Sequence, residues 1–336
     1  MKKIALTFAL TATLSSGMVA TSQACTSAIY NHGSASLSVR TMDWFGHDDA
    51  VVVGVGSGIE TRYADTKEGL TAHSKYAALK IKSFGPQIVA EAMNDQGLVA
   101  RILYLGLDYT KMAPEREGIP DVAASKFPSY AVDNFASVKD VIDDLSGIDV
   151  IQDLVCDLPN HEGECIPAPV HYHLTDAHGD SAVIEFIDGE IKIYHGDVNT
   201  APSAQYLSND PEFSFHMNLD KEQTEAGSTI RAYDRRLRAK AILDDMYARD
   251  VSDNTQALNS MKAAGASVFA GYSQLDPYAN DVFPTLWTIY TDQNAKEIVL
   301  DRYDTWQIER YNFDMFNNEQ PKEVILGAHP RAKLNK

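Results

Sequence analysis

Alternating and continuous apolar runs predict β-strands in the first third of the chain. Residues 25–43 suit two short strands joined by Asn31-His32-Gly33, because asparagine and glycine favour tight turns. Val51 to Val55 is a further apolar run. Asn94-Asp95-Gln96-Gly97 predicts a turn between strands, and the run from Leu98 to Leu105 predicts a buried strand after it.

Apolar residues at three- and four-residue spacing predict helices in the middle of the chain. They recur from Phe127 to Leu145, and Gly147 is placed to end that helix. A second helix is predicted over 228–247, with a serine or threonine at positions 228–229 as its N-cap. Leu258 to Val268 predicts a third helix.

Further strands are predicted between and after the helices. They cover residues 170–173, 182–187, 191–194, 287–292 and 297–303. Because the strands come in hairpin groups with helices between them, they predict an α+β fold with antiparallel sheets rather than a parallel βαβ series. No internal repeat or composition break marks a linker, so residues 25–336 are expected to form a single domain.

The first 24 residues have the pattern of an export signal. Lys2 and Lys3 precede an uncharged apolar run from Ile4 to Leu14, and Ser22-Gln23-Ala24 places small residues where a signal peptidase reads. Cleavage after Ala24 would leave residues 25–336 as the mature chain. No later apolar run reaches the roughly 20 residues of a membrane helix. We therefore expect a periplasmic protein, exported by the Sec route in a Gram-negative bacterium, with no membrane segment in its mature form.

The formal net charge of −18 at pH 7 excludes some classes of partner. Nucleic acids and anionic membrane surfaces both require a basic face, which a chain this acidic does not offer overall. A solvated acidic surface accounts for most of this charge.

The chain has three cysteines, Cys25, Cys156 and Cys165. In an oxidising compartment two of them are expected to pair, and the nine-residue separation of Cys156 and Cys165 suits a loop disulfide. The alternative is a zinc site that adds His161, although a fourth ligand at the usual spacing is missing. Either arrangement leaves Cys25 as the free thiol.

An N-terminal Cys25 would carry a thiol nucleophile and a basic group in one residue. A thiol attacks a carbonyl as the thiolate, and a free α-amine with a pKa near 7.7–8.0 can take its proton. Across the predicted hairpin, Arg40 would favour the thiolate and Asp43 would hold the amine. Two alternatives are lipid attachment at Cys25, disfavoured by Ser22 three positions upstream, and an ordinary buried thiol.

Four segments resemble the choloylglycine hydrolase family, which includes bile salt hydrolases and penicillin V acylases. The first segment is Cys25 with Val39-Arg40-Thr41-Met42-Asp43-Trp44, which resembles the N-terminal sequence of family members. The others, in the family's order, are Met93-Asn94-Asp95-Gln96-Gly97-Leu98, Leu207-Ser208-Asn209-Asp210-Pro211-Glu212-Phe213 and Arg235-Arg236-Leu237-Arg238-Ala239. The resemblance implies an N-terminal-nucleophile amidase with a four-layer αββα sandwich. The tail from Asn317 to Lys336 does not align with the family.

The resemblance also implies roles for individual residues. Cys25 would be nucleophile and base, Arg40 and Asp43 would orient it, Asn209 would stabilise the oxyanion and Arg235 would be a second arginine of the site. Read without the family, Asn209 beside Asp210-Pro211 could be a turn former, and Arg235 could pair with Asp234.

Tyr104 and Trp44 point to the substrate within the family. Tyr104 falls where bile salt hydrolases usually carry asparagine and where penicillin V acylases resemble this chain in carrying tyrosine. Together with Trp44 it would favour a flat aromatic or flexible aliphatic acyl group over a rigid steroid. The alternative is that Tyr104 only packs within its strand.

The resemblance implies hydrolysis of a small-molecule acyl amide, penicillin V or an N-acyl-homoserine lactone, without a metal or organic cofactor. The sequence does not rank these two substrates. The rival substrate is a conjugated bile salt, and the rival class is a non-catalytic binding protein on the same scaffold. Family members are commonly homotetramers, so we expect the same assembly here.

Overall fold

Two antiparallel β-sheets carry most of the strands in the computed structural model. It describes residues 25–85, 88–158, 162–223, 225–276 and 281–332. The predicted signal segment, residues 1–24, lies outside this range. The strands are β1 (Thr26–His32), β2 (Ala35–Asp43), β3 (Val51–Val55), β4 (Glu60–Arg62), β5 (Thr71–His73), β6 (Ala78–Lys82), β7 (Val89–Asn94), β8 (Val99–Tyr104), β9 (Asp121–Ala123), β10 (Asp149–Ile151), β11 (Leu154–Cys156), β12 (Cys165–Pro167), β13 (Val170–Thr175), β14 (Ser181–Ile187), β15 (Glu190–Gly196), β16 (Tyr206–Ser208), β17 (Thr285–Asp292), β18 (Glu297–Arg302), β19 (Gln307–Asn312) and β20 (Glu323–Ala328).

The first sheet has six strands in the order β16-β1-β2-β17-β18-β19, and the second has eight in the order β15-β14-β13-β8-β7-β6-β3-β20. Neighbouring strands in both sheets are antiparallel. The predicted hairpins are therefore confirmed. The tail of the chain supplies β20, which pairs with β3 at an edge of the second sheet.

The helices are α1 (Phe127–Asn134), α2 (Val138–Asp144), α3 (Phe213–Glu222), α4 (Ala232–Ala248) and α5 (Asn254–Val268). Helix α1 packs on β6, β7 and β8, whereas α4 and α5 pack on the first sheet. One apolar cluster lies between the second sheet and helices α1 and α2, and another lies between the two sheets. A third lies between the first sheet and helices α4 and α5. The fold is thus the expected α+β sandwich with two sheets between helical layers.

All three helix predictions were wrong in their bounds. The helix predicted over 127–145 is interrupted, because the side chain of Ser137 accepts a hydrogen bond from the Asp140 N–H and starts a new helix. The helix predicted from residue 228 begins at Ala232 instead, and the Thr229 hydroxyl donates to Asp234 rather than capping it. The third helix begins at Asn254 rather than at Leu258, because the Asp253 side chain accepts from the Gln256 N–H and caps it there.

Strand β1 lies between β2 and β16 and positions Cys25. Thr26 faces Thr41 on one side and Ser208 on the other. Cys25 therefore lies at the end of the sheet where β2 ends and β16 leads into Asn209. Within the described ranges, no helix is long and apolar enough to cross a membrane.

The chain's tail crosses Gly56 so closely that a side chain cannot fit there. A Cβ at residue 56 would lie 1.8 Å from the backbone oxygen of Gln320. The Gly56 N–H also donates to the Lys322 carbonyl at 3.1 Å.

Gly56→Ala is expected to lower the free energy of unfolding by roughly 1–3 kcal/mol, because backbone must move to admit the methyl group. Urea denaturation measures the change. Gly147→Ala is the matched control, since its Cβ would come no closer than 3.9 Å to the Asp144 carboxylate. Equal losses in the two variants would contradict the steric explanation.

Candidate active site

Cys25 is held at the end of β1 by two bonds to its carbonyl oxygen. The Ser208 hydroxyl donates to this oxygen at 2.8 Å and the Asn209 N–H at 3.3 Å. The side chain is 2 % exposed and faces the space between the two sheets. Backbone pairing on both sides thus fixes where the sulfur atom points.

The Cys25 sulfur has two N–H donors from β2 beside it. The Asp43 N–H lies 3.5 Å from Sγ, and Arg40 Nη2 lies 3.8 Å from it. The sulfur of Met42 is 4.0 Å away on the same strand. Two donors close to the sulfur favour the thiolate, because they stabilise negative charge on it.

Arg40 is fully buried and fixed by groups from both sheets. Its Nη2 donates to the Ile102 carbonyl at 3.0 Å, and its guanidinium lies 4.7 Å from the centroid of the Trp287 ring. Its Nε and Nη1 have no hydrogen-bond partner within the described part of the chain. Arg40 therefore places a buried positive charge in the wall of the site.

Asp43 points away from the sulfur and binds the helical layer. Its Oδ2 accepts from Arg235 Nη2 at 2.6 Å and from the Thr41 hydroxyl at 2.7 Å, and its Oδ1 accepts from Thr285. Arg235 pairs with this carboxylate rather than with Asp234, whose oxygens accept from Gly227 and Thr229. The alternative pairing considered from sequence is therefore wrong.

Burial raises the pKa of the Cys25 thiol, and Arg40 opposes that rise more than any other group does. The Asp43 charge raises the pKa of the thiol further, whereas Arg235 lowers it. Burial also raises the pKa of the Asp43 carboxyl, opposed by Arg235 and by the hydroxyls of Thr285 and Thr41. With Asp43 ionised, the two arginines leave one positive charge that a thiolate would balance.

Asn209 is buried with an unpartnered side chain. Neither its Nδ2 nor its Oδ1 has a hydrogen-bond partner in the part of the chain that is described, so it does not form the side-chain turn considered from sequence. Its backbone is fixed instead, because its N–H binds the Cys25 carbonyl and its own carbonyl accepts from His216 Nε2 at 2.9 Å. Burial lowers the pKa of His216 to about 3, so this ring is neutral and donates from Nε2.

A cavity with largely apolar walls is lined by Cys25, Arg40 and Met42. Tyr104 and Trp44 both line it, with their ring centroids 5.6 Å apart, and Phe84 lies against Trp44. Burial raises the pKa of Tyr104 to about 12, so its phenol stays neutral. Tyr104 thus faces the cavity, in contrast to the alternative that it only packs within its strand.

Part of the cavity wall comes from the hairpin that contains the other two cysteines. Val155 and Leu158 line the cavity, and Cys156 and Cys165 form a disulfide across β11 and β12. This bond replaces the alternative zinc site, whose third residue, His161, lies outside the described residues. Among the residues that are described, no cluster of three or more His, Cys, Asp or Glu side chains could hold a metal.

Sequence reasoning missed several residues that hold the site together. Thr41 could have been found, because it shares a strand face with Asp43 at a spacing of two residues. Thr285 and Trp287 could not, since they approach Asp43 and Arg40 from a strand more than 240 residues away along the chain.

Residues 25–238 match the family described as linear amide C–N hydrolases, choloylglycine hydrolase family. The chain belongs to the choloylglycine hydrolase family. The match begins at Cys25 and covers β1, β2, Asn209 and Arg235, the elements and residues that build the site.

Known proteins of this family are similar to the chain. A penicillin V acylase of Pectobacterium atrosepticum is 26% identical over 249 residues, which are 70% of this chain and 62% of that relative. The match thus spans less than two thirds of the relative's length. The structure of penicillin V acylase from Agrobacterium tumefaciens has a TM-score of 0.76 at 22% identity, covering 90% of this chain and 92% of that one. A variant of conjugated bile acid hydrolase from Clostridium perfringens has a TM-score of 0.74 at 15% identity, covering 93% and 99%.

Removing the positive charge of Arg40 and removing the negative charge of Asp43 should shift the pKa of the Cys25 thiol in opposite directions. Arg40→Met removes the positive charge that lowers the thiol pKa, so alkylation by iodoacetamide should shift to higher pH by about one unit or more. Asp43→Asn removes a negative charge that raises this pKa, so alkylation should shift to lower pH. Mass spectrometry of the Cys25 peptide across pH measures both curves. Shifts in the same direction would contradict the electrostatic assignment.

Proposed function

We propose that this protein is an exported N-terminal-cysteine amidase that hydrolyses a linear acyl amide, with penicillin V and N-acyl-homoserine lactones as candidate substrates. One observation carries the proposal. The Cys25 sulfur lies beside the Arg40 guanidinium and the Asp43 N–H at the base of an apolar cavity. Membership of a family of linear amide hydrolases supports the same reaction.

Cleavage after Ala24 would activate the enzyme, because it turns the amide nitrogen of Cys25 into an amine. This amine takes the thiol proton, and the thiolate attacks the substrate carbonyl carbon. The carbonyl electron pair moves to oxygen, where the unpartnered Nδ2 of Asn209 would donate to it. The intermediate then expels the amine product, which receives the proton from the Cys25 ammonium, and an acyl thioester remains.

Water completes the cycle with the same residues. The Cys25 amine takes a proton from water as the hydroxide attacks the thioester carbon, and the thiolate leaves as the carboxylic acid forms. Arg40 would stabilise the departing thiolate, as it does the attacking one. The reaction balances without a metal or organic cofactor.

The cavity wall supports an aromatic or aliphatic acyl group. Trp44, Phe84 and Tyr104 contribute aromatic surface to the wall, and Val155 and Leu158 contribute aliphatic surface. Phenoxyacetyl and linear fatty acyl groups match such walls. The structural similarity to conjugated bile acid hydrolase does not favour a bile salt, because at 15% identity it reports the fold alone.

A slowly hydrolysed acyl amide should leave a thioester on Cys25. Intact mass spectrometry of the mature enzyme should show an increase of one acyl group on a chain that begins at Cys25. Cys25→Ala should bind substrate without adduct or turnover, whereas a non-catalytic binding protein would show no adduct in the wild type either. A mature chain beginning at another residue would contradict the mechanism.

Asn209→Ala should lower kcat by about 10²–10³ with little change in KM, because the side chain would act on the oxyanion rather than on the bound substrate. Steady-state kinetics with one acyl amide measure both constants. Asn199→Ala is the control, since this exposed asparagine lies in the turn at Asp197. A rise in KM with unchanged kcat would assign Asn209 to substrate binding instead.

A further inference from the structure

The hairpin of β11 and β12 lies outside both large sheets. Its two strands pair only with each other, through Leu154 with Pro167, Val155 with Ile166 and Cys156 with Cys165. An isolated two-stranded hairpin is marginally stable in water, so its position depends on other contacts. Yet Val155 and Leu158 of this segment line the cavity above Cys25.

Hydrogen bonds fix the base of the hairpin. The Ala168 N–H donates to the Asp153 carbonyl at 3.0 Å, and Gln152 Nε2 donates to the Ala168 carbonyl at 2.8 Å. The Asp153 carboxylate accepts from the Ser125 N–H at 3.0 Å. These bonds fix Ala168, which also lines the cavity, but they end two residues before Val155. Val155 is held by β-pairing instead, and both Val155 and Leu158 are held by apolar packing.

The disulfide lies farther along the hairpin, between Val155 and Leu158 in the chain. It joins directly opposed residues, Cys156 and Cys165, which are both exposed to solvent. Beyond it the Asp157 carboxylate accepts from the Gly163 N–H at 2.9 Å. The crosslink is therefore the covalent constraint on the cavity wall, and a dissolved thiol can reach it.

We propose that the Cys156–Cys165 disulfide determines acyl-group specificity by holding Val155 and Leu158 as one wall of the acyl cavity. This inference rests on the proposed amidase function. Because the substrate carbonyl must lie at the Cys25 sulfur, the acyl group has to fill the cavity bounded by this wall. A long linear acyl group contacts the wall over more of its length than a short one, so it depends more on the crosslink.

The test compares KM for a decanoyl and a butanoyl amide of the same amine. Cys156→Ser/Cys165→Ser should raise the decanoyl-to-butanoyl KM ratio about tenfold, the effect of losing part of the apolar contact of two side chains. Dithiothreitol should raise the ratio in the wild type, as it is oxidised to its cyclic disulfide and Cys156 and Cys165 become thiols. The same reagent should not change the ratio in the double variant, which controls for effects at Cys25.

Leu158→Ala provides a second variant with the disulfide intact. Its decanoyl-to-butanoyl KM ratio should rise as well. An unchanged ratio in the reduced wild type and in the double variant would overturn the inference while leaving the amidase function in place. If the wild type hydrolyses neither these two amides nor penicillin V, the proposed function fails, and binding of a dansyl-labelled decanoyl amide decides the inference. Binding about tenfold weaker in the double variant would support it, and equal binding would overturn it.

Discussion

The buried ion pair between Arg235 and Asp43 joins the helical layer to the end of strand β2. Both side chains are excluded from solvent, and their nearest atoms are 2.6 Å apart. Removing one partner of such a pair typically costs about 3–5 kcal/mol, because the other charge stays buried without compensation. The pair also fixes the residue whose N–H lies beside the Cys25 sulfur. The geometry around the Cys25 sulfur therefore depends on helix α4, which does not line the cavity.

Burial and charge have opposite effects on the pKa of the Cys25 thiol. The dry surroundings raise the pKa of the Cys25 thiol, which disfavours the reactive thiolate, yet they also strengthen its attraction to Arg40. Two buried arginines against one buried aspartate leave a positive charge that suits a thiolate or an oxyanion. The backbone of Asn209 is fixed while its side-chain amide has no hydrogen-bond partner within the described residues, as the proposed oxyanion role would require.

Export would connect the two kinds of cysteine in this chain. The proposed signal cleavage would create the Cys25 amine, and an oxidising compartment would maintain the disulfide that constrains the cavity wall. Nucleophile and acyl cavity would then both reach their final state outside the cytoplasm. Cys25 itself is a free thiol, buried between the sheets.

Residue patterns alone determined most strands and the α+β class, because a period of two or 3.6 residues reports which face of an element is buried. They also placed Arg40 and Asp43 near Cys25, since a hairpin brings its own neighbours together. Asn209 and Arg235 came only from the family resemblance, because local patterns carry no information on contacts between distant segments. The tertiary structure alone decided the Asp43–Arg235 pair, the support from Thr285 and the break at Ser137. Each depends on a partner far along the chain, or on a local hydrogen bond that competes with an otherwise helical pattern.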